Sequence, residues 1–228
     1  MKNNYFVQAW LVLALSLAFG AALAGVDSSL KDKIAANKLE QTEREIPALL
    51  LGPNWEQEYP NGSPLTSTKP EVGGRDVYQC RDLQGALVGW VIPASGQGFA
   101  GPIELLIGLN ADATTITGIY VLAQTETPAL GDNIKKQSFR GQYAGKNTAT
   151  PVEVVKTAPQ PGSNQIQAVS GATVSSNSVT AIVNETVTAM REALANAAEA
   201  ATTQPAETAE MPAATPTVTE STDTEQGQ

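Results

Sequence analysis

DVYQCRDLQGALVGWVIPASGQGFAGPIELLIGLNADATTITGIYVLA (residues 76–123) reads as strands separated by short turns. Asp76–Arg81 and Ala86–Pro93 flank Asp82-Leu83-Gln84-Gly85, where Gly85 offers the positive φ that a tight hairpin needs. Ile103–Leu109 and Ile116–Ala123 flank Asn110–Thr115 in the same way. Two successive hairpins predict an antiparallel sheet, with Val152–Lys156 as a fifth candidate strand. Further on, Ser178–Ala198 is the strongest helix, because Val179, Ile182, Val183, Val187, Met190 and Leu194 recur at helical spacing. A sheet followed by a helix predicts one α+β domain over 72–198, of a size that can bury a core.

The flanks are simpler. Tyr5–Val26 is a run of 22 residues without a charge, and as a helix it spans about 33 Å, enough for a bilayer core. It fits one transmembrane anchor behind a short cytoplasmic N-terminus (residues 1–4). The rival is a cleaved signal peptide, since Lys2 precedes the run and Ala22-Leu23-Ala24 resembles a cleavage site. Both readings put the rest of the chain outside the cytoplasm, although Lys31, Lys33 and Lys38 after the run argue the other way on a positive-inside count. Residues 27–71 read as a helical stalk and linker. Ser29-Leu30-Lys31-Asp32 opens a helix, Pro47 interrupts it, and the stretch from Pro53 to Gly74 is rich in turn formers. Residues 199–228 are Ala, Thr, Pro and Glu with neither aromatic nor basic side chains, the composition of a disordered acidic tail.

The chain has 228 residues, with 14 basic against 23 acidic, for a net charge of −9. A chain this acidic offers no broad cationic surface, so nucleic acid is not its partner. There is no histidine and one cysteine, Cys80. That excludes a Ser-His-Asp triad, a His-ligated metal or haem, a four-Cys zinc site and an iron–sulfur cluster. Any electron chemistry must therefore come from an organic cofactor.

Several stretches carry candidate chemistry. Gly96-Gln97-Gly98-Phe99-Ala100-Gly101 spells G-x-G-x-x-G, but Pro102 and a strand follow where a dinucleotide site needs a helix. It reads as a strand connection whose glycines let a backbone approach a flat ligand. Glu126-Thr127-Pro128-Ala129-Leu130-Gly131-Asp132 holds two acids at a strand end, either an acid–base pair or an ordinary turn. Cys80 lies in a strand and reads as buried filler. Ser170-Gly171-Ala172-Thr173-Val174-Ser175-Ser176 precedes the best helix with four hydroxyls. Ser175 or Ser176 would cap that helix, leaving Thr173 just outside its positive end, where a phosphate is electrostatically favoured.

This last motif resembles the flavin attachment site of two related FMN-binding domains. One belongs to the G subunit of the Rnf electron transport complex, the other to the C subunit of Na⁺-translocating NADH:quinone reductase. Gly98-Phe99-Ala100-Gly101-Pro102-Ile103-Glu104 and Glu126-Thr127-Pro128-Ala129-Leu130-Gly131 are similar to segments of the Rnf protein and occur in the same order. The resemblance implies FMN joined through its phosphate to Thr173 by a flavin transferase. It also implies a pocket drawn from Ser170, Gly171, Ala172, Ser175, Ser176, Glu126, Thr127, Gly98 and Gly101. It implies a flavoprotein component of an ion-translocating complex linked to ferredoxin and NAD, anchored in the inner membrane with the flavin domain on the periplasmic side. The other proteins of that complex would be its partners. The chain departs from the family pattern at Gln167, where an aspartate is common, and at Gln124, where a histidine is common.

Overall fold

The computed structural model describes residues 5–203. In chain order the elements are α1 (Tyr5–Leu51), α2 (Trp55–Glu58), β1 (Leu65–Thr68), β2 (Glu71–Val72), β3 (Arg75–Asp76), β4 (Tyr78–Asp82), β5 (Leu87–Gln97), β6 (Pro102–Asn110), β7 (Thr115–Gln124), α3 (Gln137–Arg140), β8 (Lys146–Asn147), β9 (Glu153–Val155), β10 (Gln165–Gln167) and α4 (Thr173–Thr203). Both hairpins form through their turn chemistry. Asp82 Oδ1 accepts the N–H groups of Gln84 and Ala86 at 2.9 and 2.8 Å, and Gly85 takes φ +85. Asn110 Oδ1 accepts those of Thr114 and Thr115 at 2.9 and 3.0 Å. The result is a six-stranded sheet in the order β1-β4-β5-β6-β7-β8, with each neighbouring pair antiparallel.

Alternation along the strands sends side chains to both faces of the sheet. Trp90 and Ile92 of β5 and Ile103, Leu105, Ile107 and Leu109 of β6 pack against Val179, Val183, Val187, Met190 and Leu194 of α4. On the opposite face Tyr78, Cys80, Val91 and Leu106 meet Ile46 and Leu49 of α1. The expected break at Pro47 does not occur, and α1 runs through it to Leu51. Packing explains why: Ile46 and Leu49, on either side of the proline, are buried in the sheet, and that burial offsets a missing backbone donor. Gly108 and Gly118 lie opposite each other in β6 and β7. A Cβ at Gly108 would come within 3.3 Å of Leu49, so glycine here lets the helix close on the sheet. Lys38 Nζ reaches both Glu104 oxygens at 2.8 Å, and Gln41 donates to the Tyr120 hydroxyl at 3.1 Å. The stalk therefore ends as part of the fold. The first part of α1, with Trp10, Leu11, Val12, Leu13 and Leu17 exposed, is long and apolar enough to cross a membrane and is the chain's anchoring segment.

Other expectations need correction. Leu65–Thr68, expected as linker, pairs with β4 as the sheet's edge; its Thr-Ser-Thr composition suits a loop equally well. The fifth candidate strand forms at Glu153–Val155 but pairs in parallel with β10 outside the main sheet. Asn184 of α4 holds its start, bonding both the N–H and the C=O of Val152 at 2.9 Å. α4 begins five residues earlier than expected and continues to Thr203. The acidic stretch after Thr203 lies outside the described residues.

Cys80 is fully buried, and burial pushes its thiol up to about 12. We expect iodoacetamide to label it only as the chain unfolds; rapid labelling of the folded chain near neutral pH would contradict this placement. The folded value lies above the ~8.5 of a free thiol. Stability from this site is therefore intact below about pH 8.5 and falls as pH rises toward the folded value of about 12.

Candidate functional site

Three segments meet at one end of the sheet. The first is the glycine-rich connection from β5 to β6, closed by a hydrogen bond from the Gly98 N–H to the Gly101 carbonyl at 2.8 Å. A strand follows it, so it opens no dinucleotide-binding helix. The second runs from Thr125 at the end of β7 to the 3-10 turn Gly131–Lys135. The third is the Ser170–Ser176 motif that leads into α4.

Glu126 joins all three. Its side chain turns inward and is 5% exposed. Oε1 accepts the N–H groups of Phe99 and Ala100 at 2.7 and 3.3 Å. Oε2 accepts the Ser175 hydroxyl at 2.7 Å. Both oxygens are thus committed to the protein, and Glu126 does not pair with Asp132. The backbone N–H of Glu126 is in turn held by Gln124 Oε1. The nearby glycines are explained by the same packing. A Cβ on Gly98 would overlap Glu126, one on Gly101 would overlap Thr125, and one on Gly131 would stand 2.9 Å from Glu126 and 3.0 Å from Ser175.

Thr127 anchors the following turn through its carbonyl, which accepts from Leu130 N–H at 3.3 Å and Asp132 N–H at 3.2 Å. Pro128 suits the first inner position of that turn, but Ala129 occupies the second with φ 62, where glycine is preferred. A left-handed alanine costs roughly 1–2 kcal/mol, against 0.4–1 kcal/mol of extra unfolded-chain entropy for glycine. Ala129→Gly should therefore raise stability by about 0.5 kcal/mol, read as a higher melting temperature; a lower one would refute the strain.

The motif folds differently from the capping expectation. Ala172 N–H bonds the Val169 carbonyl at 3.0 Å across a turn in which Gly171 takes φ +80. Ser176 N–H then bonds the Ala172 carbonyl at 3.0 Å, so Ala172 is the cap residue and Thr173 is the first residue of the helix. Ser175 and Ser176 lie inside the first turn. Ser176 Oγ donates to the Ala172 carbonyl and accepts from Val169 N–H, both at 3.0 Å. The alanine cap has no side-chain acceptor. Among the described residues, no hydrogen bond engages the N–H of Thr173, Val174 or Ser175.

The hydroxyls divide accordingly. Those of Ser175 and Ser176 are buried and bonded within the protein. Thr173 is partly exposed, and among the described residues its hydroxyl makes no hydrogen bond. It stands at the positive end of a 31-residue helix, beside free amide donors. Exposed Ser170 and Gly171 form the adjoining turn. These residues fit the phosphate end of FMN. Phe99, Leu130 and Val174, all exposed, add an apolar rim. That rim and the Glu126–Ser175 bond have no signature in the sequence, because only the fold makes these residues neighbours.

Residues 98–188 match the model of the FMN-binding domain. The chain is 36% identical over 117 residues to the G subunit of the proton-translocating ferredoxin:NAD⁺ oxidoreductase complex of Clostridium ljungdahlii, covering 51% of this chain and 61% of that one. It is 38% identical over 106 residues to the Na⁺-translocating counterpart of Acetobacterium woodii, covering 45% and 49%. The aligned part thus spans about half to three fifths of these relatives' own length. The solved structure of NqrC from Shewanella oneidensis shares the fold, with a TM-score of 0.51 at 24% identity over 59% of this chain and 70% of that one. Residues 98–188 are an FMN-binding domain, in a chain similar to the G subunits of ion-translocating oxidoreductase complexes.

Proposed function

We propose that this chain is the membrane-anchored flavoprotein subunit of an Rnf-type ion-translocating electron transport complex linking ferredoxin and NAD. In this reading it relays electrons through FMN esterified to Thr173. The observation that carries the reading is the division of hydroxyls in the motif: at the mouth of α4, Thr173 is partly exposed and unengaged while Ser175 and Ser176 are tied inward. Bound FMN supplies redox chemistry that a chain with no histidine and one buried cysteine lacks.

The chain's own part is to hold and orient. Free amides at Thr173, Val174 and Ser175 neutralise the phosphate, and Glu126 fixes the loop and the helix start on either side of it. Thr173 is an attachment point, with no part in proton transfer. A tether keeps the flavin at high local concentration, which suits a compartment where lost FMN is hard to replace. We place the flavin domain on the periplasmic side of the inner membrane, with a flavin transferase forming the ester there and other subunits of the complex as partners. Residues 72–198 carry the flavin site, with the end of α1 and the edge strand β1 completing the sheet's packing.

The test is the mass of the tryptic peptide running from Thr157 to Arg191, from chain made in cells with an active flavin transferase. We expect the mass of the peptide plus FMN less one water, with fragmentation placing it on Thr173. Unmodified peptide alone would overturn the reading and favour a non-flavinylated interaction module.

A further inference from the structure

Far along α4 from the attachment motif lies a recess of about 190 Å³. Arg191 lines it, 18 residues and about 27 Å of helix beyond Thr173. The floor is apolar, made by the buried side chains of Ile116, Val152 and Val187. Thr150 and Thr188 line the recess beside Arg191, and no acidic residue does. The wall from Asn147 to Val152 is fastened within the protein. Asn164 Nδ2 donates to the carbonyls of Asn147 and Thr150 at 3.1 and 2.7 Å, and Asn184 bonds both the N–H and the C=O of Val152 at 2.9 Å. Arg191 is partly buried, yet among the described residues its guanidinium has neither a hydrogen bond nor an ion pair. Glu185 and Glu192, the acids next to it on α4, are exposed and do not pair with it. A charge taken partly out of water without a counter-charge costs free energy that an anion at the site recovers.

We infer that this recess seats one carboxylate on a short aliphatic stem, its oxygens on Arg191 and its stem on the apolar floor. The guanidinium fork meets a carboxylate in two parallel hydrogen bonds, and the apolar floor strengthens them by excluding water. Bare phosphate matches the arginine but leaves the floor uncovered. Two sources carry this chemistry. One is a small free acid. The other is the chain itself, which has five acids and no base after Thr203. α4 ends 12 residues beyond Arg191, about 18 Å, a span that the seven residues from Thr203 to Glu210 cover when extended. The seat is separate from the flavin site and does not depend on attachment at Thr173.

The experiment follows phenylglyoxal modification of Arg191 by peptide mass in the full chain in detergent, with exposed Arg44 as the internal control. A second full chain carries Glu207→Gln, Glu210→Gln, Glu220→Gln, Asp223→Asn and Glu225→Gln. In this chain propionate should slow the reaction at Arg191 at least about threefold relative to neutral propionamide at matched ionic strength, and leave Arg44 unchanged. If its Arg191 reacts faster than that of the unaltered chain before propionate is added, the chain's own carboxylate holds the seat. Equal rates, with protection by propionate, assign the seat to a free acid. One rate in both chains with and without propionate overturns the inference, and so does protection by inorganic phosphate but not by propionate. Propionate should also raise the melting temperature of the substituted chain. Adding Arg191→Gln should remove that rise, and an equal rise in its presence overturns the assignment to this arginine.

Discussion

Thr173→Val should abolish flavin attachment altogether. The change removes one hydroxyl and keeps the shape of the side chain. Because that hydroxyl makes no hydrogen bond among the described residues, stability should move by no more than about 0.5 kcal/mol. In-gel fluorescence after denaturation should fall from a bright band to background, while the melting temperature stays in place. Thr173→Ser keeps the oxygen and should retain the band. Ser170, the other exposed hydroxyl of the motif, is the alternative acceptor. A fluorescent Thr173→Val chain whose mass places flavin on Ser170 would move the attachment to the turn and dismiss the assignment.

The second large effect should come from Glu126, through stability. Glu126→Ala strands two backbone N–H groups and the buried Ser175 hydroxyl at once. Unsatisfied buried donors cost 1–3 kcal/mol apiece, and members of one network do not add simply, so a loss of about 3 kcal/mol is expected. In a domain of this size that lowers the melting temperature by ~10 °C. Glu126→Gln keeps one acceptor oxygen and a group that can donate to Ser175, so it should cost about half as much. Flavin attachment should drop in the alanine variant, because the loop and the helix start lose their common brace. An alanine variant with wild-type stability would mean that the carboxylate does not hold the site together.

Local signals carry much of the fold. Asp82, Gly85 and Asn110 specify their turns by chemistry within a few residues, and the apolar positions of α4 are fixed by a short period. The motif around Thr173 is legible for the same reason. What escapes depends on partners distant in the chain. Pro47 reads as a stop because nothing local announces that Ile46 and Leu49 will be buried in a sheet formed later in the chain. Leu65–Thr68 gains its strand from β4, not from its own composition. Glu126 is visible as an acid in a turn, but its task is set by Phe99, Ala100 and Ser175, up to 49 residues away. Ala172 takes the cap position ahead of two better capping residues because the turn through Gly171 ties its N–H to the Val169 carbonyl.

The docking of α1 has a directional consequence. Lys38 meets Glu104 near the start of β6, and Leu49 lies over Gly108 further along that strand. The helix therefore travels down the sheet away from the Gly98–Gly101 end, and its lipid-facing portion departs from the same pole that carries Thr173. Only a dozen residues, ~18 Å of helix, separate Val26 from Lys38. In the proposed reading, FMN at Thr173 lies at the pole from which the apolar part of α1 departs, and its redox partners reach it from the side of that segment.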